Sequence, residues 1–384
     1  MLRHLGRYLR TAARVSRTRY PGFIFGLPLS GDDIPIFTYH DLTSQELRRD
    51  LEFLAINGYR TLSLDEYLHS RRQGAGSAAT PSTRRRVLLS FDDARKSFWQ
   101  TALPLLHEFD AHAVLFAPTY WMDPPSQRHL ETRGALRNDL FMTWPQLRAC
   151  VASGRVDVQS HAHRHALVAV SASRVDFANP HALARFDLYD WPMRRRGEHD
   201  ELGRPALGTP VYHSMPLLSA PRRHLESAEA TWACQERVDR GGGEDFFNRP
   251  DWRAELKSVH DRHARARPGR FMSPAVFRRL LASEFEHSQA AFQTQLGYAP
   301  RCIAYPWMLG SRISLELARH FGLQAAFGVA LDYRAERDDS LPLPVYGRLK
   351  CDWLRFMPGI QRHGALAAVR KKLGGLAGIH HLAH

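Results

Sequence analysis

Short apolar runs, rich in β-branched and aromatic residues, alternate with helical patterns along most of the chain. The runs typical of buried strands lie at residues 34–39, 86–91, 113–117, 156–160, 302–305, 325–329 and 345–349. Between them, apolar residues recur at helical spacing, and Gly58 and Gly154 follow the ends of two such segments. This alternation predicts parallel β-α-β units and therefore an α/β fold. For 384 residues, two or three domains of roughly 150 residues would fit, as would one (β/α) barrel of about 250 residues with insertions.

Polar residues stand at or just after the ends of several predicted strands. His40, Asp92, Asp93 and His161 occupy such positions. Pro306 and Trp307, which are not polar, also stand at a strand end. In parallel α/β folds the carboxyl ends of the strands meet on one face, where active residues collect. The sequence therefore predicts a functional site on that face.

Residues 166–270 break the alternation, with many Pro, Arg and His and few strongly periodic runs. About a hundred residues is too long for an ordinary connection between two elements. We therefore expect an insertion built over the fold.

The net charge of +14 is concentrated at the two ends of the chain. Residues 1–31 contain six arginines and no acidic residue, and residues 357–384 contain four basic residues and no acidic one. The part between them carries only +4. That location does not indicate a central basic cleft, and no nucleic-acid motif is present, so we expect no nucleic-acid partner.

The N-terminal arm has two interpretations. Leu2, Leu5 and Leu9 fall at helical spacing among arginines, which suits an amphipathic helix on an anionic membrane surface. A solvated terminus also explains the pattern, because short isolated helices are marginal in water. The sequence shows no secretory-signal pattern, no apolar run near the roughly 18 residues of a membrane span, and four scattered cysteines. We expect a cytoplasmic protein, with peripheral contact at the inner membrane face through the basic termini as a further hypothesis.

Two adjacent carboxylates and a pair of histidines indicate a metal site. Side chains alternate at a strand end, so one of Asp92 and Asp93 can bind a metal while the other faces a substrate. His161 and His165 are four residues apart and can present two imidazoles on one face. Two His and one Asp with an open position are typical of catalytic zinc or another divalent metal. A His161 and His163 pair is the alternative.

Four ordered motifs resemble those of the polysaccharide deacetylases, the NodB-homology group called carbohydrate esterase family 4. SFDDA at residues 90–94 resembles their first motif, and SHAHRH at 160–165 resembles the second. AYPW at 304–307 is similar to the third, and YHD at 39–41 resembles the start of members that act on bacterial surface polysaccharides.

The resemblance implies a distorted (β/α) barrel that removes acetyl groups from an N-acetylated sugar, glycan or glycoconjugate with the help of Zn²⁺ or another divalent metal. The barrel would comprise residues 32–165 and 271–356, with the insertion 166–270 near its mouth. Basic arms, 1–31 and 357–384, would flank it. Carried over residue by residue, Asp93, His161 and His165 bind the metal, Asp92 is the general base, a backbone N–H near Tyr305 helps to hold the oxyanion, and Tyr305, Pro306 and Trp307 contact the substrate.

The chain departs from the family pattern at several positions. Ala94 replaces a glycine, and Ala304 stands where some relatives carry an arginine that supports the base. No histidine occurs in residues 341–353, where relatives place a general acid, so His40 and His213 are the candidates for that role. A glycan-binding protein with weakened catalysis on the same barrel is therefore the alternative to an enzyme.

Overall fold

The computed structural model describes residues 21–29, 33–73, 85–122, 140–328 and 341–364. Most of the two basic arms, including the pattern of Leu2, Leu5 and Leu9, lies outside these ranges.

The described elements alternate between strands and helices in the way that the apolar runs predict. The strands are β1 (Ile36–Tyr39), β2 (Arg60–Thr61), β3 (Arg86–Phe91), β4 (Ala113–Ala117), β5 (Val156–Ser160), β6 (Leu167–Phe177), β7 (Arg194–Arg196), β8 (His199–Glu201), β9 (Pro210–Pro216), β10 (His224–Leu225), β11 (Arg270–Phe271), β12 (Cys302–Ala304), β13 (Ala325–Gly328), β14 (Val345–Gly347) and β15 (Leu349–Lys350). The α-helices are α1 (Ser44–Ile56), α2 (Leu64–Gln73), α3 (Leu103–Glu108), α4 (Trp144–Ala152), α5 (Pro180–Arg185), α6 (Ala228–Arg240), α7 (Trp252–Ala266), α8 (Pro274–Leu296) and α9 (Arg312–His320).

Within the described residues, nine strands form one parallel sheet that returns to itself. Its order is β14-β13-β12-β5-β4-β3-β1-β15, with β2 paired to β3. The strand predicted at 345–349 is broken at Arg348, because β14 pairs with β13 at one end of the sheet and β15 pairs with β1 at the other. Both ends of the sheet thus belong to one short segment, and the prediction of a distorted (β/α) barrel is confirmed.

Side-chain alternation separates the barrel interior from the layer beneath the helices. Leu88, Val114 and Phe116 belong to one buried cluster with residues of the other strands, whereas their neighbours Leu89 and Leu115 pack with the helices.

The helices begin where the sequence offers capping groups. Thr43 and Glu46 form a reciprocal capping box at α1, and the hydroxyl of Ser273 accepts from the backbone of the first turn of α8, which opens with Pro274. No described helix is both long enough and apolar enough to cross a bilayer.

Residues 166–270 form antiparallel strand pairs outside the main sheet, namely β6 with β9 and β7 with β8, together with the helices α5, α6 and α7. Helices α6 and α7 pack on each other over a small buried cluster that includes Phe177, Phe246 and Leu256. The insertion is therefore more regular than its weak periodicity suggested, and it has an apolar cluster of its own.

Candidate active site

The chain turns sharply after β3, which sends the two carboxylates in different directions. Asp93 and Ala94 have φ values of 70° and 46°, in the left-handed region that favours glycine. The alanine in place of the family's glycine therefore adopts the glycine-type backbone, at a cost in strain. Both carboxylates are buried.

Asp92 is held by a buried arginine from the closing segment of the barrel. The Arg348 guanidinium donates to Asp92 through Nη1–Oδ1 at 2.6 Å and Nη2–Oδ2 at 2.8 Å, and it also donates to the Thr38 hydroxyl. Burial raises the pKa of Asp92, but the Arg348 guanidinium and His161 outweigh it, so the net pKa lies below the ordinary value. Asp92 is therefore held as an oriented carboxylate.

Asp93, His161 and His165 converge on one point. The Asp93 Oδ1 atom lies 3.5 Å from His161 Nε2 and 3.4 Å from His165 Nε2. All three residues are buried, and among the described residues they form a group whose ligand atoms lie within 4.8 Å of one another. Zinc–ligand bonds of 2.0–2.1 Å in tetrahedral geometry require ligand atoms about 3.3 Å apart.

The orphan oxygen of Asp93 supports the fit to a metal. Within the described residues, Asp93 Oδ1 is buried and accepts no hydrogen bond, and a buried carboxylate oxygen without a partner is costly. Burial raises the pKa of Asp93, but the neighbouring imidazoles of His161 and His165 outweigh burial, so the net pKa lies below the ordinary value. The Asp93 carboxylate, with its buried and unsatisfied oxygen, and the two neighbouring imidazoles make a potential metal site.

The two imidazoles are oriented by different contacts. His161 Nδ1 lies 2.8 Å from the carbonyl oxygen of Ala304; because a carbonyl can only accept, Nδ1 carries the proton and Nε2 is free to bind a metal. In the part of the chain that the structure describes, His165 Nδ1 has no hydrogen-bond partner. Its ring lies instead between Tyr189, at a centroid distance of 4.1 Å, and Trp307, at 4.3 Å.

The titration of the two imidazoles differs as well. Burial lowers the pKa of His165 to about 3, so its ring is neutral, as a metal ligand must be. Burial also lowers the pKa of His161, but the carboxylates of Asp92 and Asp93 outweigh it and the net pKa is raised. The raised pKa favours a second proton, on Nε2 of His161, and metal binding there would displace it.

Of the three residues of the third motif that were expected to contact substrate, only Trp307 is partly exposed. Tyr305 is 1% exposed, and its backbone N–H donates to the Phe327 carbonyl at 2.9 Å. The side chain and the N–H of Tyr305 are thus both used in the core, which argues against a direct substrate contact by Tyr305; the oxyanion role of a backbone N–H near Tyr305 stays a prediction. Pro306 is buried as well, whereas Trp307 is partly exposed at φ 50° and reaches the site.

His40 is the general-acid candidate that the structure brings to Asp92. Its Nε2 lies 3.7 Å from Asp92 Oδ2, and its side chain is 54% exposed at the mouth of the barrel. His213 is exposed on β9 of the insertion. The alternative ligand His163 bonds to the Thr119 hydroxyl through Nδ1 and lies outside the metal-binding group.

Part of the insertion lies directly over the potential metal site. Besides the contact of Tyr189 with His165, Asp187 accepts from Arg95 at 2.7 Å. The Arg95 guanidinium lies against the rings of Phe141 and Tyr189, and its Nε is 3.8 Å from Asp93 Oδ2. The sequence singled out Tyr189 only as one of the insertion's aromatic residues, and it did not identify Arg95; the position of Arg95, two residues after Asp93, was the available signal.

Comparisons with known proteins also indicate similarity to polysaccharide deacetylases. The family profile described as polysaccharide deacetylase matches residues 79–180. The predicted resemblance to the polysaccharide deacetylases is confirmed. A poly-β-1,6-N-acetyl-D-glucosamine N-deacetylase of Escherichia coli is 28% identical over 124 residues, which is 32% of this chain and 18% of that protein. The chain thus matches less than a fifth of that relative's length.

Two solved structures share the fold. A de-N-acetylase from Aggregatibacter actinomycetemcomitans has a TM-score of 0.51 at 16% identity, covering 83% of this chain and 95% of that one. The BpsB deacetylase domain from Bordetella bronchiseptica has a TM-score of 0.50 at 18% identity, covering 84% and 98%. At these identities the likeness concerns the barrel, and the function has to be argued from the site.

Proposed function

We propose that this protein is a metal-dependent hydrolase that removes acetyl groups from an N-acetylated sugar, glycan or glycoconjugate. The observation that carries the proposal is the orphan Oδ1 of Asp93, 3.4 and 3.5 Å from two imidazole nitrogens and next to an Asp92 carboxylate fixed by Arg348. Buried charges are expensive to keep without use.

Asp93, His161 and His165 would hold the metal, and zinc is the first candidate because the set is two imidazoles and one carboxylate. When bound, such an ion lowers the pKa of water and polarises an acetyl carbonyl. The remaining chemistry belongs to the side chains of this chain.

Asp92 accepts a proton from the attacking water, and Arg348 keeps its carboxylate ionised and aimed into the barrel mouth. The water oxygen forms the new bond to the acetyl carbon, and the C–N bond breaks. His40, beside Asp92 and open to solvent, donates a proton to the departing nitrogen. The products are acetate and the free amine of the sugar.

The substrate class follows from the site together with the relative's name. The E. coli relative acts on poly-β-1,6-N-acetyl-D-glucosamine, so β-1,6-linked N-acetylglucosamine is the first polymer to try. Trp307 offers an aromatic face to a pyranose ring, and Tyr189 of the insertion packs on His165 at the same site. We propose that the insertion 166–270 sets the choice of sugar and chain length.

We also propose that the protein works in the cytoplasm and contacts the inner membrane face through its basic termini. The support is the clustering of ten positive charges in residues 1–31 and 357–384, with no acidic residue in either arm.

Acetate release from N-acetylglucosamine oligomers with β-1,6 and β-1,4 linkages tests the activity. We expect release that is abolished by a chelator and restored by zinc. Asp92→Asn should retain the metal and lose roughly 10²- to 10⁴-fold in turnover, because it removes the base and no ligand. Asp239→Asn, an exposed position on α6, is the matched control.

The alternative of a glycan-binding protein predicts a different result. Such a protein would bind the oligomers with no acetate release, and Asp92→Asn would leave binding unchanged. Wild-type turnover in Asp92→Asn would show that another group is the base.

A further inference from the structure

The loop that carries both imidazoles has a strained backbone. It follows β5 and runs from His161 to His165, with φ values of 64° at Ala162 and 48° at His165. Neither residue is glycine, and such conformations persist only where surrounding contacts enforce them. Something outside the loop must therefore fix its shape.

Two sets of contacts fix it. Residues 119–121 donate hydrogen bonds to the carbonyls of residues 162–164, and one buried carboxylate on α8 accepts from the N–H groups on the other side of the loop. Glu284 is 1% exposed. Its Oε2 accepts from the backbone N–H of His163 at 3.2 Å and of Arg164 at 2.8 Å, and its Oε1 accepts from Arg164 Nη1 at 2.8 Å. Glu284 thus holds the middle of the loop, between the two imidazole-bearing residues, by three charge-assisted hydrogen bonds.

Position 284 is anomalous in the pattern of its own helix. The buried face of α8 also contains Phe277, Leu281, Phe285 and Phe292. A carboxylate in such an apolar stripe is rare unless it is paired. One turn further, Ser288 bonds to the Ser160 hydroxyl at the end of β5, at 2.8 Å. Both buried polar groups of the helix therefore point at the segment that leads to His161 and His165.

We propose that Glu284 is a positioning residue that sets the metal affinity of the site. The inference rests on the proposed metal site. Without the carboxylate, the N–H groups of His163 and Arg164 lose their acceptor and the guanidinium of Arg164 loses its partner. The strained loop then keeps only the contacts of its carbonyls with residues 119–121, so His161 and His165 are held less firmly in the geometry that meets Asp93. Partners that orient ligands in this indirect way typically change metal affinity by 10- to 100-fold.

The experiment measures zinc affinity, independently of activity, by competition with a chromophoric chelator on metal-stripped full-length protein. The variants are Glu284→Gln and Glu284→Ala, and the control is Glu286→Gln, an exposed glutamate on the same helix. Glutamine keeps an oxygen for the two N–H groups but presents an amide N–H to Arg164. We expect zinc affinity to fall roughly tenfold in Glu284→Gln and toward a hundredfold in Glu284→Ala, with no change in Glu286→Gln.

Thermal unfolding of the metal-free variants separates positioning from a purely structural role. A purely structural Glu284 lowers the midpoint of the metal-free protein and leaves the zinc affinity of the folded fraction unchanged, which overturns the inference. If Glu284→Ala does not fold, Glu284→Gln decides alone, and zinc affinity within twofold of wild type overturns the proposal. A wild-type protein that binds no zinc overturns the metal site itself, whereas wild-type binding matched by both Glu284 variants overturns this inference alone.

Discussion

Replacing Arg348 by methionine removes the guanidinium that pairs with Asp92, while the apolar stem of the side chain remains. The Arg348 side chain is fully buried and that of Asp92 is 2% exposed, so the carboxylate left behind has little access to water. Removing one partner of a buried, hydrogen-bonded ion pair costs about 3–5 kcal/mol, mainly because the other charge stays buried. We expect the free energy of unfolding at pH 7 to fall by that amount.

The pH dependence of this loss has a definite sign. Burial raises the pKa of Asp92, but Arg348 and His161 hold it below the ordinary value. A depressed folded-state pKa stabilises the protein above the unfolded pKa, roughly 4, and the stabilisation is lost as the pH falls through the folded-state value. The difference between wild type and Arg348→Met should therefore narrow below about pH 4.

Urea unfolding followed by tryptophan fluorescence measures the loss, and two further variants isolate its cause. Asp92→Asn combined with Arg348→Met leaves no charge at either of these two buried positions and should recover most of the stability. Arg312→Met removes an exposed arginine that pairs with Glu316 on the surface, and it should cost no more than about 0.5 kcal/mol. A loss below about 1 kcal/mol in Arg348→Met, or a double variant no more stable than Arg348→Met alone, would refute the reasoning.

Four further predictions concern the metal, a buried acid, the insertion and the arms. His165→Ala should lose the metal and keep the fold, and full zinc occupancy by elemental analysis would contradict the assignment. Burial raises the pKa of Asp50 to about 6, so between about pH 4 and 6 the folded protein retains a proton that the unfolded chain releases. As the pH rises through this range, wild type should lose up to about 3 kcal/mol of unfolding free energy relative to Asp50→Asn. Parallel stability curves of the two proteins would refute this. Tyr189→Ala should change the preference for oligomer length and weaken zinc binding, and an unchanged preference would argue against a role of the insertion in substrate choice. Sedimentation with anionic vesicles should be salt-sensitive and lost on deleting residues 1–20 and 361–384, whereas equal sedimentation of both proteins would leave the arms without a membrane role.

The sequence predicted the barrel strands, the His161 and His165 pair and a carboxylate after β3 from local signals, and the family resemblance chose Asp93 as the ligand. A strand end, an i, i+4 spacing and a carboxylate after an apolar run can be read within ten residues. The partner of Asp92 is different, since 256 positions separate Asp92 from Arg348. Their contact exists because the barrel closes at residues 345–350, which no local pattern specifies.

The role of the third motif was misjudged for a related reason. Ala304 was noted for the arginine that it lacks, yet its backbone carbonyl orients His161. A backbone contact of this kind is independent of the side chain, so residue identity carries no signal for it. Tyr305 was assigned to the substrate because it belongs to the motif, but strand pairing with Phe327 and burial place it in the core.

The two imidazoles depend on different parts of the molecule, and this difference has a consequence for specificity. His161 is fixed by a backbone carbonyl of the barrel strand β12, and the insertion takes no part in that contact. His165 has its ring between Trp307 of the third motif and Tyr189 of the insertion, with no hydrogen bond at Nδ1. Because β6 begins at Leu167, two residues beyond His165, the insertion is joined directly to this ring-bearing position and also packs on its ring. A substitution that reshapes the insertion for another sugar therefore also changes the support of one metal-binding ring, while His161 and Asp92 keep theirs from the barrel.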